Sequence, residues 1–376
     1  MALGEITVNA LNLKQGPFPT VENHFLFIGE GATNQDTILF LNTDSDLDVE
    51  LGSVDSEIKR QVVAAKLNAG QSWAAVVIPL ADGSLWDAAV DLAMNENVRV
   101  ETIVICTPVT AQADLTAMQA KALDLIATYG RRVSFIATAI AIDATPVTGQ
   151  SWSAYITAIN DLTDTLAADR VTIVPYIYND WAGIYAGRLC NDQTSVADTP
   201  MRVATGTIVG QDQSTLPVDK DGIKYSNAHA KALNDQRFTV PAFYADYEGV
   251  YCSDGQVLDV VGGDYTVIEN LRVVDKAARM VRIVLIGLLG DRRFNSTPAG
   301  EAWAISKLMR PLREMSRSTE FQGIPFPAEL QSPKDGDIAI AWITRTQVEI
   351  FMIARPFSIP KDITANIVLD LSAPTA

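Results

Sequence analysis

The stretch VETIVICTPVTAQADLTAMQAKALDLIATYGRRVSFIATA, residues 100–139, decides the fold class. It begins and ends with short runs rich in Val, Ile and Ala that are apolar at successive positions, as expected for strands covered on both faces. Between these runs lies a helical pattern that follows Thr110 and closes at Gly130, a typical helix stop. Strand–helix alternation of this kind predicts an α/β layer with a largely parallel sheet.

The same alternation extends over residues 24–179. The strand candidates are HFLFIG (24–29), TILFLN (37–42), AAVVIP (74–79), VETIVIC (100–106), VSFIATA (133–139) and VTIVPYIY (171–178). The helix candidates are Ser53–Asn68, Ser84–Met94, Ala111–Thr128 and Ser151–Ala167. We expect Ser53 or Asp55 to cap the first of these helices. The sequence therefore predicts an N-terminal α/β layered domain with a mostly parallel sheet.

Composition narrows the class of protein. The chain has 376 residues, which indicates one large or two medium domains. Its 48% of hydrophobic and 20% of charged residues are typical of a globular protein. The apolar runs are too short to span a bilayer and the N-terminus lacks the pattern of a secretory signal, so we expect neither membrane insertion nor export.

The charge distribution points to protein partners. A net charge of −16 argues against nucleic acid as a partner, because phosphate binding needs a basic face. The acidic excess lies in residues 1–263, whereas residues 264–376 are close to neutral. Such asymmetry indicates two surfaces with different neighbours.

Histidine and cysteine usage argues against catalysis. The chain has 3 cysteines, without the spacing of a metal site, and only 2 histidines. Cys106 lies in an apolar run and is expected to be a small buried core residue. No Ser or Cys has a defensible pairing with His and Asp, so the sequence offers no catalytic residue.

Two local patterns resemble ligand sites only in part. Gly29-Glu30-Gly31 has Asn34 where a dinucleotide loop needs its third Gly, and a strand follows, so a strand-end turn is favoured. The acidic loop at 44–55 has the first spacings of a calcium loop, but Val49 replaces the required Gly and a solvated loop is favoured. We therefore expect no cofactor and no metal ion.

The rest of the chain changes character. Residues 191–236 are dominated by Gly, Pro, Asp, Ser and Thr and predict long loops or a small β excursion. Residues 240–260 predict two strands joined around Ser253-Asp254-Gly255. A long helix is expected from Asp264 to Leu289. After it, DIAIAWITR (337–345) and QVEIFMIARPF (347–357) predict a tight hairpin.

This hairpin is apolar on both faces, and such strands favour a central position in a sheet. A two-stranded hairpin alone is marginal and has two open edges. Further strand candidates lie only at the chain ends, in GEITVNALNL (4–13) and ITANIVLDLS (363–372). The ends either complete the chain's own sheet, which composition alone favours, or are exchanged between copies by β-augmentation.

The segments RFTVPAFYADYEGVYCSDGQVL (237–258) and DYTVIENLRVVDKAARMVRIVLIGLLGDRRFNSTPAGEAWAISKLMRPLREM (264–315), followed by a β-rich end, resemble contractile tail sheath proteins. In that family an aromatic-rich strand with a Gly-Val-Tyr turn leads into a helix, a loop with Asn and Pro, a second helix and a hairpin. The arm, the α/β block and the terminal strand follow the same order. The resemblance covers most of the chain, except residues 191–236.

The resemblance implies that both terminal arms add strands to the sheets of neighbouring subunits, which reverses the preference above. The implied divisions are an N-terminal arm at 1–20, an outer α/β domain at 21–263, a smaller inner α+β polymerisation domain at 264–361 and a C-terminal arm at 362–376. The strand-forming arm residues are Ile6, Val8, Ile367, Leu369 and Leu371. The residues of the receiving hairpin are Ile338, Ile340, Trp342, Val348, Ile350 and Met352.

The resemblance also implies a function. Hexameric rings would stack helically around a tail tube and contract to drive the tube through a cell envelope, in a virion tail or tail-like particle assembled in the bacterial cytoplasm. The implied partners are copies of this chain, the tail tube protein, and baseplate and tail terminator proteins. Two alternatives remain open: a nucleotide- or flavin-dependent α/β enzyme, and a non-sheath virion component such as a baseplate protein.

Basic residues mark one side of a predicted helix in the last third of the chain. They are Lys307, Arg310, Arg313 and Arg317. Pro311 is expected to kink this helix or to begin a second segment. A solvated face is the ordinary explanation, whereas the sheath resemblance suggests that the stripe contacts an acidic tube. On the preceding helix, Glu269 and Asp275 are expected to pair along the helix with its basic residues.

Overall fold

The computed structural model describes residues 21–321 and 323–369. Its first part, residues 21–263, is called the sheet region here and is built on a six-stranded sheet with the order β2-β3-β1-β4-β5-β6. The strands are β1 (Phe25–Glu30), β2 (Leu39–Asn42), β3 (Ala74–Leu80), β4 (Thr102–Val109), β5 (Ser134–Ala141) and β6 (Val171–Tyr176). Every neighbouring pair is parallel except β2 and β3. The predicted strands and the mostly parallel sheet are confirmed.

Helices cover both faces of this sheet. They are α1 (Leu47–Leu51), α2 (Glu57–Ala69), α3 (Trp86–Asn95), α4 (Gln112–Tyr129), α5 (Trp152–Thr163), α6 (Trp181–Leu189) and α7 (Asn227–Asp235). Because successive residues of a strand point to opposite faces, the burial of Phe25, Leu26, Phe27 and Ile28 in β1 shows that both faces are covered. One large apolar core results.

The predicted helices are present, with different boundaries. The cap of α2 is Ser56, whose hydroxyl accepts from the N–H of Lys59, and the expectation of Ser53 or Asp55 is wrong. The end of α4 is as predicted, because Gly130 adopts the left-handed conformation with φ 63°. Helix α6 was not expected. It packs against α2, where Gly183 and Gly187 approach the α2 backbone too closely for a side chain.

Residues 191–260 are only partly as expected. Loops dominate 191–236, but they contain a 3₁₀ turn at Val203–Thr205 and α7. Strands β7 (Pro241–Tyr244) and β8 (Tyr247–Cys252) form an antiparallel hairpin. Its turn contains Asp246, which adopts φ 59°, so the predicted turn at Ser253-Asp254-Gly255 is wrong. Asp tolerates this left-handed conformation better than most residues do.

The second part, residues 264–361, is called the hairpin region. Its elements are α8 (Ile268–Leu288), α9 (Pro298–Met315), β9 (Thr319–Phe321), β10 (Ile324–Phe326), β11 (Ile338–Trp342) and β12 (Val348–Met352). The β9–β10 hairpin corrects the expectation that further strands lie only at the chain ends. Beyond the first turns of α8, the apolar side chains of the hairpin region lie in two small clusters and not in one large core. The predicted α+β composition of this region is confirmed.

Helix α9 is continuous through Pro311, so the predicted second segment is wrong. Its start is defined by Thr297, whose hydroxyl accepts from the N–H of Gly300 at 3.2 Å, and by Pro298 in the first turn. Pro311 is buried against the rest of the region, which compensates for the backbone hydrogen bond that a proline cannot donate. No helix among the described residues has the length and hydropathy needed to cross a membrane.

Candidate assembly surfaces

Helix α8 lies across the amino-terminal ends of the parallel strands and is held there by ion pairs of alternating sign. The Nε of Arg272 lies 2.7 Å from Oε1 of Glu101, the residue before β4, and the two side chains are 2% and 3% exposed. Asp275 lies 2.5 Å from Arg170, the residue before β6. Burial alone would raise the pKa of Glu101, but the Arg272 guanidinium holds that pKa below its ordinary value.

The same arrangement continues along α8. Arg279 pairs with Glu22, which precedes β1, at 2.8 Å. Lys276 pairs with Glu329 at 2.7 Å. The expectation that the charges of α8 neutralise one another along the helix is therefore wrong. Arg272, Asp275 and Arg279 face the strand ends, where a partner distant in the sequence replaces the water that burial removes. Lys276 instead pairs within the hairpin region.

The pairing of α8 with the strand ends was missed by sequence reasoning. Its only sequence signal is a charged residue directly before a buried strand, as at Glu101 and Arg170. Such a residue is ordinarily a solvated strand end. Nothing in the sequence shows which helix will cover it.

The β11–β12 hairpin contacts the rest of the subunit with one face. Its inward side chains are those expected to form the receiving hairpin, and Ile338, Ile350 and Met352 pack with Val281 of α8 and Leu308 of α9. On the other face Phe351 is 61% exposed and Ile353 is 49% exposed. The expectation of a fully central hairpin is not met within the described chain. Its two strands pair only with each other among the described residues.

The described part of the C-terminal segment, residues 362–369, does not complete this sheet. Residues 362–369 form no strand and no hydrogen bond with any described residue. Ile367 is 97% exposed and Leu369 is 77% exposed. The other predicted arm residues, Ile6, Val8 and Leu371, lie outside the described residues.

The residues that precede this segment, 355–361, are bound to the rest of the subunit. The backbone N–H of Gln331 donates to the carbonyl oxygen of Arg355 at 2.9 Å, and Pro356 bridges to Leu330. The Nζ of Lys361 pairs with Oδ1 of Asp254 at 2.5 Å and with Oε1 of Glu269 at 2.6 Å. The segment therefore leaves the rest of the subunit after residue 361.

The basic residues of α9 are exposed on one side of the subunit. Lys307, Arg310 and Arg313 lie on the helix, and Arg317 lies just after its end. Arg310 pairs with Glu314 at 2.8 Å across one turn, with side chains 78% and 44% exposed. An exposed pair of this type is worth little in free energy, so the face remains available to an acidic partner.

The two glycines of the expected strand-end turn, Gly29 and Gly31, allow neighbouring residues to pack closely against the backbone. A Cβ at Gly29 would lie 2.6 Å from the Cβ of Cys106.

In the acidic loop, a carboxylate oxygen of Asp46 accepts from the N–H of Asp48 at 3.0 Å and caps α1. Among the described residues there is no cluster of three His, Cys, Asp or Glu side chains that could hold a metal ion. Cys106 is buried, as predicted, and burial raises the pKa of its thiol.

Two family models together match nearly the whole chain. Residues 3–256 match the model of the DUF2586 N-terminal domain, and residues 264–372 match the model of the DUF2586 C-terminal domain. A protein of Haemophilus phage HP1 (strain HP1c1), assigned as a tail sheath protein, is 42% identical over 370 residues, with 98% of each chain covered.

Three solved structures have the same fold. The contracted sheath complex of PVC, an extracellular contractile injection system, gives a TM-score of 0.61 at 11% identity, covering 99% of this chain and 98% of that chain. The contracted helical sheath of the anti-feeding prophage gives 0.58 at 15% identity, covering 98% and 99%. A sheath tail protein from Desulfitobacterium hafniense gives 0.51 at 12% identity, covering 93% and 100%.

Proposed function

This chain belongs to the DUF2586 family and to the tail sheath proteins, and we propose that it polymerises as helically stacked hexameric rings around a tail tube. Contraction of this polymer drives the tube through a cell envelope. The chain is a structural protein and not an enzyme, and it acts in a virion tail or a tail-like particle. We place its assembly in the bacterial host cytoplasm.

One observation carries the proposal: an open hairpin and an unpaired terminal segment occur in the same subunit. The β11–β12 hairpin has strand edges without a described partner. The segment 362–369 has apolar residues at 367 and 369, both exposed. An open strand edge and an unpaired segment that can extend are complementary, because main-chain hydrogen bonds can join them and alternate side chains set the register.

The proposed exchange uses both arms. The C-terminal arm adds a strand to the hairpin of one neighbour, and the N-terminal arm, through Ile6 and Val8, adds a strand to that of another. Each hairpin then becomes part of a larger sheet, which removes its exposed edges. Rings joined in this way stay connected while they move relative to one another.

The ion pairs of α8 support movement of each subunit as one body. The pair of Arg272 and Glu101 fixes the hairpin region to the sheet region with both charges buried. Breaking a buried pair leaves an uncompensated charge, at a cost of about 3–5 kcal/mol. Contraction therefore proceeds through the contacts between subunits, which are weaker than those within a subunit.

The basic face of α9 is the proposed contact with the tail tube. It lies in the part of the chain whose net charge is close to zero, whereas the sheet region is strongly acidic. Contacts made by exposed charges are individually weak and sensitive to salt, which suits a surface that must release during contraction. Baseplate and tail terminator proteins are the further proposed partners, at the two ends of the polymer.

Deleting each arm separately tests the proposal. Variants lacking residues 1–14 or 362–376 should fold and remain soluble, because residues 25–271 by themselves supply one large apolar core. Electron microscopy should show tubes or stacked rings for the full chain and only discrete particles for each deletion. Polymers of normal length from either folded deletion variant would overturn the proposal.

A further inference from the structure

The C-terminal segment leaves the subunit at a defined point. After β12 the chain remains bound, since the N–H of Ile353 donates to the carbonyl oxygen of Asp337 at 2.9 Å and Pro356 bridges to Leu330. The last anchored residue is Lys361. From residue 362 to 369 the chain has no described hydrogen bond.

Lys361 is held by two carboxylates from separate parts of the chain. Asp254 follows β8 in the sheet region and Glu269 lies in the first turn of α8. Their side chains are 15% and 6% exposed, and that of Lys361 is 26% exposed. The amine therefore neutralises two neighbouring carboxylates that would otherwise repel each other in a site with little water.

The position of this anchor matters for strand pairing. The hairpin packs around Val281 on α8, whereas Lys361 is fixed at Glu269, twelve residues earlier on the same helix. At 1.5 Å per residue the two levels are about 18 Å apart along the helix. The anchor thus holds the root of the arm away from its own hairpin, which lowers the effective concentration of the arm at that hairpin.

We propose that Lys361, held by Asp254 and Glu269, is a positioning residue that directs the C-terminal arm to the hairpin of a second copy of this chain. The proposal rests on the proposed exchange of arms and adds the device that selects between chains. Without the anchor, the segment from residue 357 onward is free to fold back, and pairing within one subunit competes with polymerisation.

The test compares Lys361→Met with its parent in the full-length chain. Both carry Ile367→Cys in the arm and Glu349→Cys in the hairpin, and the three native cysteines are buried. Isotopically heavy and light subunits are mixed in equal amounts before assembly and joined with a flexible thiol cross-linker. Mixed heavy–light peptide pairs arise only when two chains are joined.

The parent should give the mixed pairs expected for exchange between chains. Lys361→Met should raise the share of cross-links within one chain severalfold and shorten the polymers. Lys361→Arg should restore the parental result, and Asp254→Asn with Glu269→Gln should reproduce the defect. Lys334→Met, at an exposed lysine of the same region, is the matched control.

The outcomes separate the two proposals. Mixed pairs in the parent with an unchanged share in Lys361→Met would overturn the role of Lys361 and leave arm exchange intact. Cross-links confined to single chains in the parent would overturn arm exchange itself. Denaturant unfolding of Lys361→Met shows whether loss of fold, and not release of the arm, explains a defect.

Discussion

The sheet region and the hairpin region bury their apolar residues in different ways. In the sheet region, helices cover a six-stranded sheet on both faces and one core results. In the hairpin region, two helices carry small clusters and a two-stranded hairpin with an exposed face. A core of the first kind is sufficient for folding, whereas a hairpin of the second kind gains stability from further strands. The sheet region is therefore complete within one subunit, whereas the hairpin region leaves strand edges and apolar side chains exposed.

Ion pairs and apolar contacts both join the two regions. The pairs made by α8 with Glu22, Glu101 and Arg170 lie at one edge of the sheet. Apolar contact between the regions is made at the start of α8, where Ile268 and Leu271 enter the large core, and at Val196, which packs in one of the small clusters. The junction is therefore the place where a single substitution should have the largest effect on the isolated subunit.

The strongest test breaks this junction. Glu101→Ala should lower the free energy of unfolding by about 3–5 kcal/mol, because it leaves Arg272 buried without its partner. Urea denaturation of the isolated subunit measures the change. The control is Lys231→Ala, which removes an exposed pair with Asp235 and should cost at most about 1 kcal/mol. Equal losses for the two variants would show that burial of the pair is unimportant.

The second test compares one isoleucine in each region. Ile103→Ala in β4, where the side chain is fully buried, should cost about 2–5 kcal/mol through lost burial and a residual cavity. Ile350→Ala in β12, where the side chain is only half-buried, should cost roughly 1 kcal/mol in the isolated subunit. Both changes are measured by thermal and urea unfolding. A larger loss at Ile350 would contradict the description of the hairpin region as loosely packed.

The third test changes the basic face with little effect on the fold. Arg310→Glu with Arg313→Glu should change the free energy of unfolding by less than about 1 kcal/mol, since both side chains are exposed. The variant should assemble poorly on tail tubes, as measured by co-sedimentation over a range of salt concentrations. Lys224→Glu with Lys231→Glu makes the same charge change on the sheet region and should assemble as the parent does. Normal decoration of tubes by the first variant would show that the face is only solvated.

The smallest effect concerns pH and the sheet region alone. Burial, opposed by Arg60 and reinforced by Glu30, raises the pKa of Glu57 to about 7. A raised carboxyl pKa means that the folded state binds more protons, so this contribution to stability is present below about pH 4.5 and is lost as pH rises through about 7. Glu57→Gln should flatten the stability profile between these values.

The profile is measured by urea denaturation at a series of pH values. The Glu57 side chain is partly exposed, so solvent reduces the effect. Glu96→Gln, at an exposed carboxylate, should leave the profile unchanged and serves as the control. A stability that rises with pH only in the parent, and not in Glu57→Gln, would contradict the stated direction.

Much of the sheet region was determined by the sequence itself. The strands were predictable because runs such as IVIC in β4 are apolar at successive positions, which is typical of strands covered on both faces. The end of α4 at Gly130 was also predictable, because the left-handed cap favours glycine. The basic face of α9 followed from helical spacing alone. These features depend on neighbours along the chain.

Other features depend on which parts of the chain meet in the folded protein. Helix α6 contains Gly183 and Gly187, which are weak helix formers, and it forms because their lack of side chains lets it approach α2. The charges of α8 pair with the strand ends because burial there makes a distant counter-charge more favourable than exposed partners along the helix. Lys361 is anchored by Asp254 and Glu269, which lie far away in the sequence. The local sequence pattern determines the periodicity of a helix or strand and the cap of a helix. The partner of a buried charge depends instead on which surfaces the whole fold brings together.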